Sequence, residues 1–248
     1  RIRIREYDHR YDAARVASMW PGIRSELNPV LILGVGGPDV AALRERLPDD
    51  KVPMIMPTAG YGFAWMADPW IFNPRATYVH EGAAFLNWFK EDRSLDRPVK
   101  LGVISSEASP AYVDIARGMQ QYAADNPDVV ELVEVIWTSV QPDDLTAHVH
   151  RIVRGGAEVI QIQTNTAAVV AVKRALQAIG RPDVVIMMSS HNGLPLSGAA
   201  AGGITQLEGD YEVHGQALGT DDPTVAKEFF DMLVADYGLT AGWNVATI

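Results

Sequence analysis

The chain has 248 residues, of which 48% are hydrophobic and 21% charged, a composition that is typical of a folded globular protein and excludes a disordered one. Its formal net charge of −10 argues against binding to nucleic acid or to an anionic membrane surface. It contains no cysteine, which excludes disulfides, zinc–thiolate sites and thiol nucleophiles, and no apolar run is long enough to span a bilayer.

Apolar runs alternate with helical patterns along the chain, which predicts an α/β fold with parallel sheets and right-handed crossovers. Up to residue 98, the predicted strands are 2–7, 30–34, 52–57 and 70–72, and the predicted helices are 11–26, 39–47 and 77–90. Beyond it, strands are predicted at 99–104, 129–137, 157–163 and 183–188, and helices at 110–124, 142–153, 166–179 and 222–237. The Gly/Ala run 197–203 predicts a flexible surface loop, and 204–218 has a strand-like pattern.

Three segments repeat one arrangement, in which an apolar strand leads into a short polar loop that opens a helix. They are residues 30–47 (VLILGVGGPDVAALRERL), 99–122 and 157–179. In open α/β sheets, ligands bind outside the carboxyl ends of the strands, where loops and helix N-termini offer N–H groups. The repetition therefore predicts two α/β lobes that face each other across a binding cleft.

The order and spacing of several motifs resemble the type I periplasmic binding proteins, and within them the Leu/Ile/Val-binding proteins of ABC transporters. The motifs are V-L-I-L-G-V-G-G, K-V-P-M-I-M-P-T-A-G, W-I-F-N-P-R-A-T-Y, V-K-L-G-V-I-S-S-x-x-S-P-A-Y, P-D-D-L-T and A-E-V-I-Q-I-Q. The resemblance runs from residue 2 to about residue 240 and rests on order and spacing, because no single motif is as specific as a metal signature. Against the family layout, the first strand–helix unit and the closing C-terminal segments are missing, so we expect the sequence to be part of a longer chain.

The resemblance implies a two-lobed periplasmic binding protein type I fold, with parallel Rossmann-like sheets flanked by helices and joined by hinge strands. The incomplete N-terminal lobe is expected to comprise residues 1–97 with 219–248, and the C-terminal lobe residues 98–213. The hinge segments are expected near 92–99 and 211–219.

The family binds its ligand between the lobes, and the resemblance carries its binding loops to definite positions here. In the first lobe they are Gly37, Pro38 and Asp39, preceded by Gly36, and Thr58, Ala59, Gly60 and Tyr61. In the second lobe they are Ser106, Tyr112, Asn165, Thr166, Ser190 and His191, followed by Asn192. N–H groups at the start of helix 39–47 are expected to receive a ligand carboxylate, although the Asp39 side chain would compete for them. A tight strand-to-helix turn without a binding role is the alternative for this loop.

The expected ligand differs from that of the family's amino-acid binders. Those proteins place an acidic side chain after the strand that corresponds to 183–188, where this chain has Ser190, His191 and Asn192. A neutral or carboxylate-bearing ligand is therefore expected, such as an aromatic acid or an amide, with Tyr61, Phe63 and Trp65 in the facing loop. Asp39 could still supply a countercharge for an ammonium group from the opposite lobe.

The function expected from the resemblance is that of an extracytoplasmic solute-binding protein of an ABC importer, which captures its ligand by hinge closure. No catalysis, cofactor or metal is expected, because G-x-S-x-G and H-E-x-x-H are absent from the sequence. The expected partners are the small-molecule ligand and the transporter permease, without membrane insertion, and the protein is expected to be a periplasmic or extracellular monomer, free or lipid-anchored. A ligand-sensing domain of the same fold is the first alternative, and an α/β enzyme acting on a small molecule is the second.

Overall fold

The computed structural model describes residues 3–56, 70–74, 76–189 and 191–213, together with five helical positions between 228 and 236. Two parallel sheets organise these residues. The first has the order β1 (Ile32–Leu33), β2 (Met54–Ile55) and β3 (Ile71–Phe72). The second has the order β5-β4-β6-β7-β8, with β4 (Val99–Ser105), β5 (Val130–Trp137), β6 (Val159–Ile162), β7 (Val185–Ser189) and β8 (Tyr211–Val213).

Helices cover the sheets, and local sequence fixes several of their ends. Asp12 caps the first helix by accepting a hydrogen bond from the Arg15 N–H at 2.8 Å, and Asn28 closes it in the left-handed conformation. In the first part of the chain the helices are α1 (Ala13–Leu27), α2 (Gly37–Leu43), α3 (Leu47–Asp50) and α4 (Tyr78–Asp92). They are followed by α5 (Pro110–Asp125), α6 (Thr146–Arg154), α7 (Thr166–Ala178) and α8 (Leu194–Ala201), and a 3-10 turn at Ile204–Leu207.

The described residues pack as two units, which confirms the predicted fold class of parallel sheets flanked by helices. In the first unit, α1, α2 and α3 bury Trp20, Leu43 and Leu47 against the methionines of β2 and its flanks. In the second unit, α4 and α5 cover one face of the sheet, and α6 and α7 cover the other. The central strand β6 is consequently buried on both faces, as parallel strands usually are.

Helix α4 belongs to the second unit, whereas the sequence-based boundary at residue 97 places it in the first lobe. Its apolar face, including Phe85, Leu86 and Phe89, packs in the same cluster as β4 and α5. The charged stretch that follows is packed as well, since Leu95 contacts this cluster. The described packing therefore changes from the first unit to the second between β3 and α4. Leu95 and Val99 of the expected hinge segment 92–99 pack with the second unit, and the hinge itself remains a prediction.

Two further segments differ from their sequence-based expectations. Residues 3–7 form no strand, because none of the described strands pairs with them and an isolated strand leaves its backbone groups without partners. Most of the run 197–203 lies in α8 and not in a loop, since its alanines favour helix and Gly202 ends it at a φ of 97°. Within the described ranges, no helix has both the length and the apolar character needed to cross a membrane.

Candidate functional site

Three polar side chains meet at the carboxyl edge of the second sheet. The Tyr112 hydroxyl donates a hydrogen bond to Asn165 Oδ1 at 3.0 Å. The Nε2 atom of His191 lies 3.2 Å from the Tyr112 hydroxyl and 3.1 Å from Asn165 Oδ1. The three residues come from helix α5, the start of α7 and the loop after β7, each of which follows a neighbouring strand. We call this set the polar triangle.

Aromatic rings line the polar triangle. The Tyr112 and His191 rings are 6.1 Å apart at their centroids, and the Tyr78 ring at the start of α4 lies 6.4 Å from His191. Tyr112 is 7% exposed, and burial, with a smaller contribution from Tyr11, raises its pKa to about 12. Tyr112 therefore stays protonated at neutral pH and acts there as a hydrogen-bond donor.

Backbone contacts hold the triangle in place. Ser105 Oγ at the end of β4 donates to the Tyr112 carbonyl at 2.9 Å. Asn192 is fully buried, accepts from the Ser189 N–H at 3.0 Å, and donates to the carbonyls of Ile162 and Thr164 at 3.1 and 2.9 Å. Asn192 therefore ties the loop after β7 to the loop after β6. Its side chain is used by the protein itself, whereas the sequence placed it among the binding residues.

The other predicted residues of the second unit lie at the same sheet edge. Ser106 is 1% exposed and accepts a hydrogen bond from the Ala108 N–H at 3.2 Å, which shapes the loop before α5. Thr166 is half-buried at the first position of α7. Asn165, which precedes it as the N-cap, makes no side-chain cap, because its side-chain oxygen accepts from Tyr112. The first N–H groups of α7 therefore receive no hydrogen-bond acceptor from the Asn165 side chain.

The loop at Gly37, Pro38 and Asp39 turns from β1 into helix α2. Asp39 Oδ2 accepts hydrogen bonds from the N–H groups of Val35 and Gly36 at 2.8 and 3.0 Å, and its Oδ1 lies 3.4 Å from His9 Nε2. The Gly37 backbone also lies close to the Tyr11 hydroxyl, since it lowers the Tyr11 pKa. Asp39 thus accepts from two backbone donors of this loop, as the competing role expected for it implies, and a ligand-binding role of the helix start remains a prediction.

The two units are in contact between Gly37 and the start of α5. A Cβ atom placed on Gly37 would lie 2.7 Å from Ser109 Oγ and 3.2 Å from Ala111 Cβ, which is closer than real Cβ atoms normally approach. Tyr11 lies next to this contact, since a Cβ on Gly36 would be 2.5–2.9 Å from two ring carbons and the hydroxyl oxygen of Tyr11. The absence of side chains at Gly36 and Gly37 therefore allows Tyr11 and the α2 loop to approach the start of α5, one helical turn before Tyr112.

Several predicted site residues lie outside the described residues, so their roles remain predictions. They are Thr58, Ala59, Gly60, Tyr61 and Ser190, together with Phe63 and Trp65 of the expected aromatic wall.

Sequence reasoning missed three residues of this region, namely Tyr11, Tyr78 and Ser109. Tyr78 opens a helix directly after a strand, a position at which ligand contacts are common, so its signal is present in the sequence. Ser109 precedes a proline at a predicted helix start, which is the usual signal of an N-cap. Tyr11 reaches the site through backbone geometry that no local pattern indicates.

Comparisons with known proteins agree with this architecture. The profile of a family described as periplasmic binding protein matches residues 1–244. The chain belongs to this family. The resemblance seen in the sequence is thus confirmed, and no match is found among curated proteins.

Solved structures of this family are similar to the chain along nearly its whole length. A branched-chain amino acid ABC transporter protein from Thermus thermophilus with bound valine has 16% identity and a TM-score of 0.79, over 96% of this chain and 60% of that one. A fatty acid ABC transporter substrate-binding protein from Thermomonospora curvata has 20% identity and a TM-score of 0.73, over 97% and 60%. A solute-binding protein of an ABC transporter from R. palustris in complex with benzoate has 14% identity and a TM-score of 0.73, over 98% and 64%.

At these identities the likeness shows the shared fold. The chain spans about 60% of the length of the first two of these structures.

Proposed function

We propose that this chain is the ligand-binding part of an extracytoplasmic solute-binding protein of an ABC importer. It would hold a small organic molecule between its two units by hinge closure and release it unchanged to a permease. The polar triangle carries the proposal, because it places a phenol, an amide and an imidazole within 3.2 Å of one another at the sheet edge that faces the first unit. Membership of the periplasmic binding protein family supports it.

The chemistry of the triangle favours binding over catalysis. A tyrosine with a pKa of about 12 is a weak acid at neutral pH, so Tyr112 is suited to donate a hydrogen bond and not to transfer a proton. The aromatic rings of Tyr78, Tyr112 and His191 offer a wall for an apolar or aromatic ligand body. Such a set of groups orients a ligand without activating it.

The same groups favour a ligand without an ammonium group. None of the three members of the triangle carries a negative charge at neutral pH. On the facing side, the Asp39 carboxylate is already bonded to two N–H groups and lies close to His9. We therefore propose an aromatic acid, an aliphatic acid or an amide as the ligand, with free amino acids as weaker ligands.

A thermal-shift panel of leucine, 4-methylpentanoate, benzoate and benzamide tests the proposal. A ligand present at a hundred times its Kd stabilises the folded state by about 2.7 kcal/mol, which for a chain of this size raises the Tm by roughly 5–10 °C. Mass spectrometry of the bound fraction should then recover unchanged ligand in stoichiometric amount. Catalytic conversion would favour the enzyme alternative, and the absence of any shift across a broad panel of acids, amides and polyols would contradict the proposal.

The transport role needs a separate measurement. Deletion of the coding sequence in the source organism should lower the uptake of the radiolabelled ligand. A change in gene expression with unaltered uptake would favour the ligand-sensing alternative.

A further inference from the structure

The segment before α1 adopts a backbone conformation that is costly for its residues. Arg10 and Tyr11 both lie in the left-handed region, with φ values of 53° and 55°. A left-handed backbone costs each non-glycine residue roughly 1–2 kcal/mol of conformational free energy. Two such residues in succession therefore need contacts that stabilise this conformation. Two local hydrogen bonds supply part of this stabilisation. The Arg10 N–H donates to Asp8 Oδ1 at 2.8 Å, and the Tyr11 N–H donates to His9 Nδ1 at 3.1 Å.

The result of this turn is that Tyr11 points its hydroxyl at the junction of the two units. Half of the residue surface is exposed, but the ring packs on Gly36 and the hydroxyl interacts with the backbone of Gly37 and the side chain of Ser109. Burial raises the Tyr11 pKa, although the two hydrogen-bonding groups partly offset that rise. The hydroxyl therefore stays protonated at neutral pH.

Ser109 presents a second hydroxyl at the same point, from the opposite unit. The residue is 2% exposed, and its Oγ makes no hydrogen bond that meets ordinary distance and angle limits. It precedes α5 as the N-cap residue yet makes no side-chain cap. A buried hydroxyl without a full partner costs about 1–3 kcal/mol, so its retention calls for an explanation.

The two hydroxyls are close to the polar triangle. Ser109 lies one helical turn before Tyr112, and Tyr11 is close enough to Tyr112 to contribute to its raised pKa. Tyrosines from the two units thus face the same space. The Gly37 backbone and the Ser109 side chain both lower the Tyr11 pKa, which is the effect of donors near a phenol oxygen, so the Tyr11 hydrogen is left for a different acceptor.

We propose that Tyr11 and Ser109 form a second hydrogen-bonding subsite of the cleft, which receives an acceptor oxygen of the ligand. A carboxylate or an amide carbonyl has the required chemistry, since both present oxygen lone pairs to hydroxyl donors. This inference rests on the proposed function and adds a ligand contact from the first unit to those of the polar triangle. The left-handed backbone at Arg10 and Tyr11 accompanies the placement of the Tyr11 side chain against Gly36.

Isothermal titration calorimetry with benzoate, benzamide and 4-methylpentanoate tests the subsite on the full chain. The variants are Tyr11→Phe, which removes only the hydroxyl, and Ser109→Ala. The control is Tyr7→Phe, at a tyrosine that is 42% exposed on the same segment. Each site variant should bind the probes about fivefold to tenfold more weakly, whereas the control should bind as the unaltered protein does.

Probe binding to the unaltered protein tests the proposed function, and probe binding to the two site variants tests the subsite. If none of the three probes binds the unaltered protein, this ligand class is wrong and the subsite assignment falls with it. If the unaltered protein binds a probe and both site variants bind it equally well, the subsite assignment alone is overturned. If the site variants bind more weakly but Tyr7→Phe loses as much affinity, the effect is due to folding and the subsite assignment is overturned. The same holds if the Tm of the free site variant falls by a large amount.

Discussion

Gly37→Ala probes the approach of the two units with a single methyl group. The new Cβ would lie 2.7 Å from Ser109 Oγ and 3.2 Å from Ala111 Cβ, both in the second unit. Insertion of a methyl group into a tightly packed contact costs about 1–3 kcal/mol. If the ligand-bound state has this contact, the variant should bind its ligand roughly 5-fold to 150-fold more weakly, since 1.4 kcal/mol corresponds to a factor of ten.

The free variant should keep its thermal stability, because alanine favours a helix more than glycine does and the clash disappears when the units separate. Gly22→Ala is the matched control. It is also a glycine in a helix, and a Cβ added there meets nothing within 4 Å. Titration calorimetry and thermal melts of both variants decide the question. Unchanged affinity in Gly37→Ala would refute closure through this contact.

Other substitutions test the site and the fold beneath it. Tyr112→Phe should weaken ligand binding about tenfold with little change in Tm, because it removes the hydroxyl of the polar triangle, and titration calorimetry measures the loss. Asp210→Ala leaves the buried Lys173 ammonium without its partner at 2.7 Å, and should lower the free energy of unfolding in urea by about 3–5 kcal/mol. The Arg97 guanidinium holds the Glu158 pKa below its usual 4.5, so Glu158→Gln should be slightly less stable than the unaltered chain at pH 7. That difference should vanish in thermal melts as the pH falls through the lowered pKa, and a difference that persists there would contradict the assignment. Leucine should bind more weakly than 4-methylpentanoate by calorimetry, and tighter binding of leucine would indicate an acidic partner for the ammonium group.

Much of the second unit could be predicted from hydrophobic periodicity. Its central elements β4, α5, β6 and α7 begin and end within a few residues of their predicted bounds, since each has a long apolar pattern of clear period. The unit boundary could not be predicted in the same way. The stretch 91–98 is rich in charge and resembles a linker, yet Leu95 packs in the core and Arg97 forms an ion pair with Glu158 at 2.6 Å. These are tertiary contacts that a local pattern does not contain.

The candidate site could likewise be predicted only in part. Tyr112, Asn165 and His191 are expected from the family resemblance, and each also follows a predicted strand of one parallel sheet, whose strand ends meet at one edge. Their role in ligand binding remains a prediction. The contacts of the Gly36–Asp39 loop could not be predicted from the sequence, because they depend on His9 and Tyr11, which fold back over a loop some 25 residues away. Left-handed backbone at Tyr11 has no sequence signal, since it is not a glycine.

A crystal structure of the protein with its strongest thermal-shift ligand would show directly where the ligand binds. We expect the ligand to lie between the two units, with one end at Tyr112, Asn165 and His191 and with the α2 loop of the first unit closed over it. A ligand bound elsewhere, for example in the surface groove of about 400 Å³ between α1 and α3 that Trp20 and Arg24 line, would contradict this expectation.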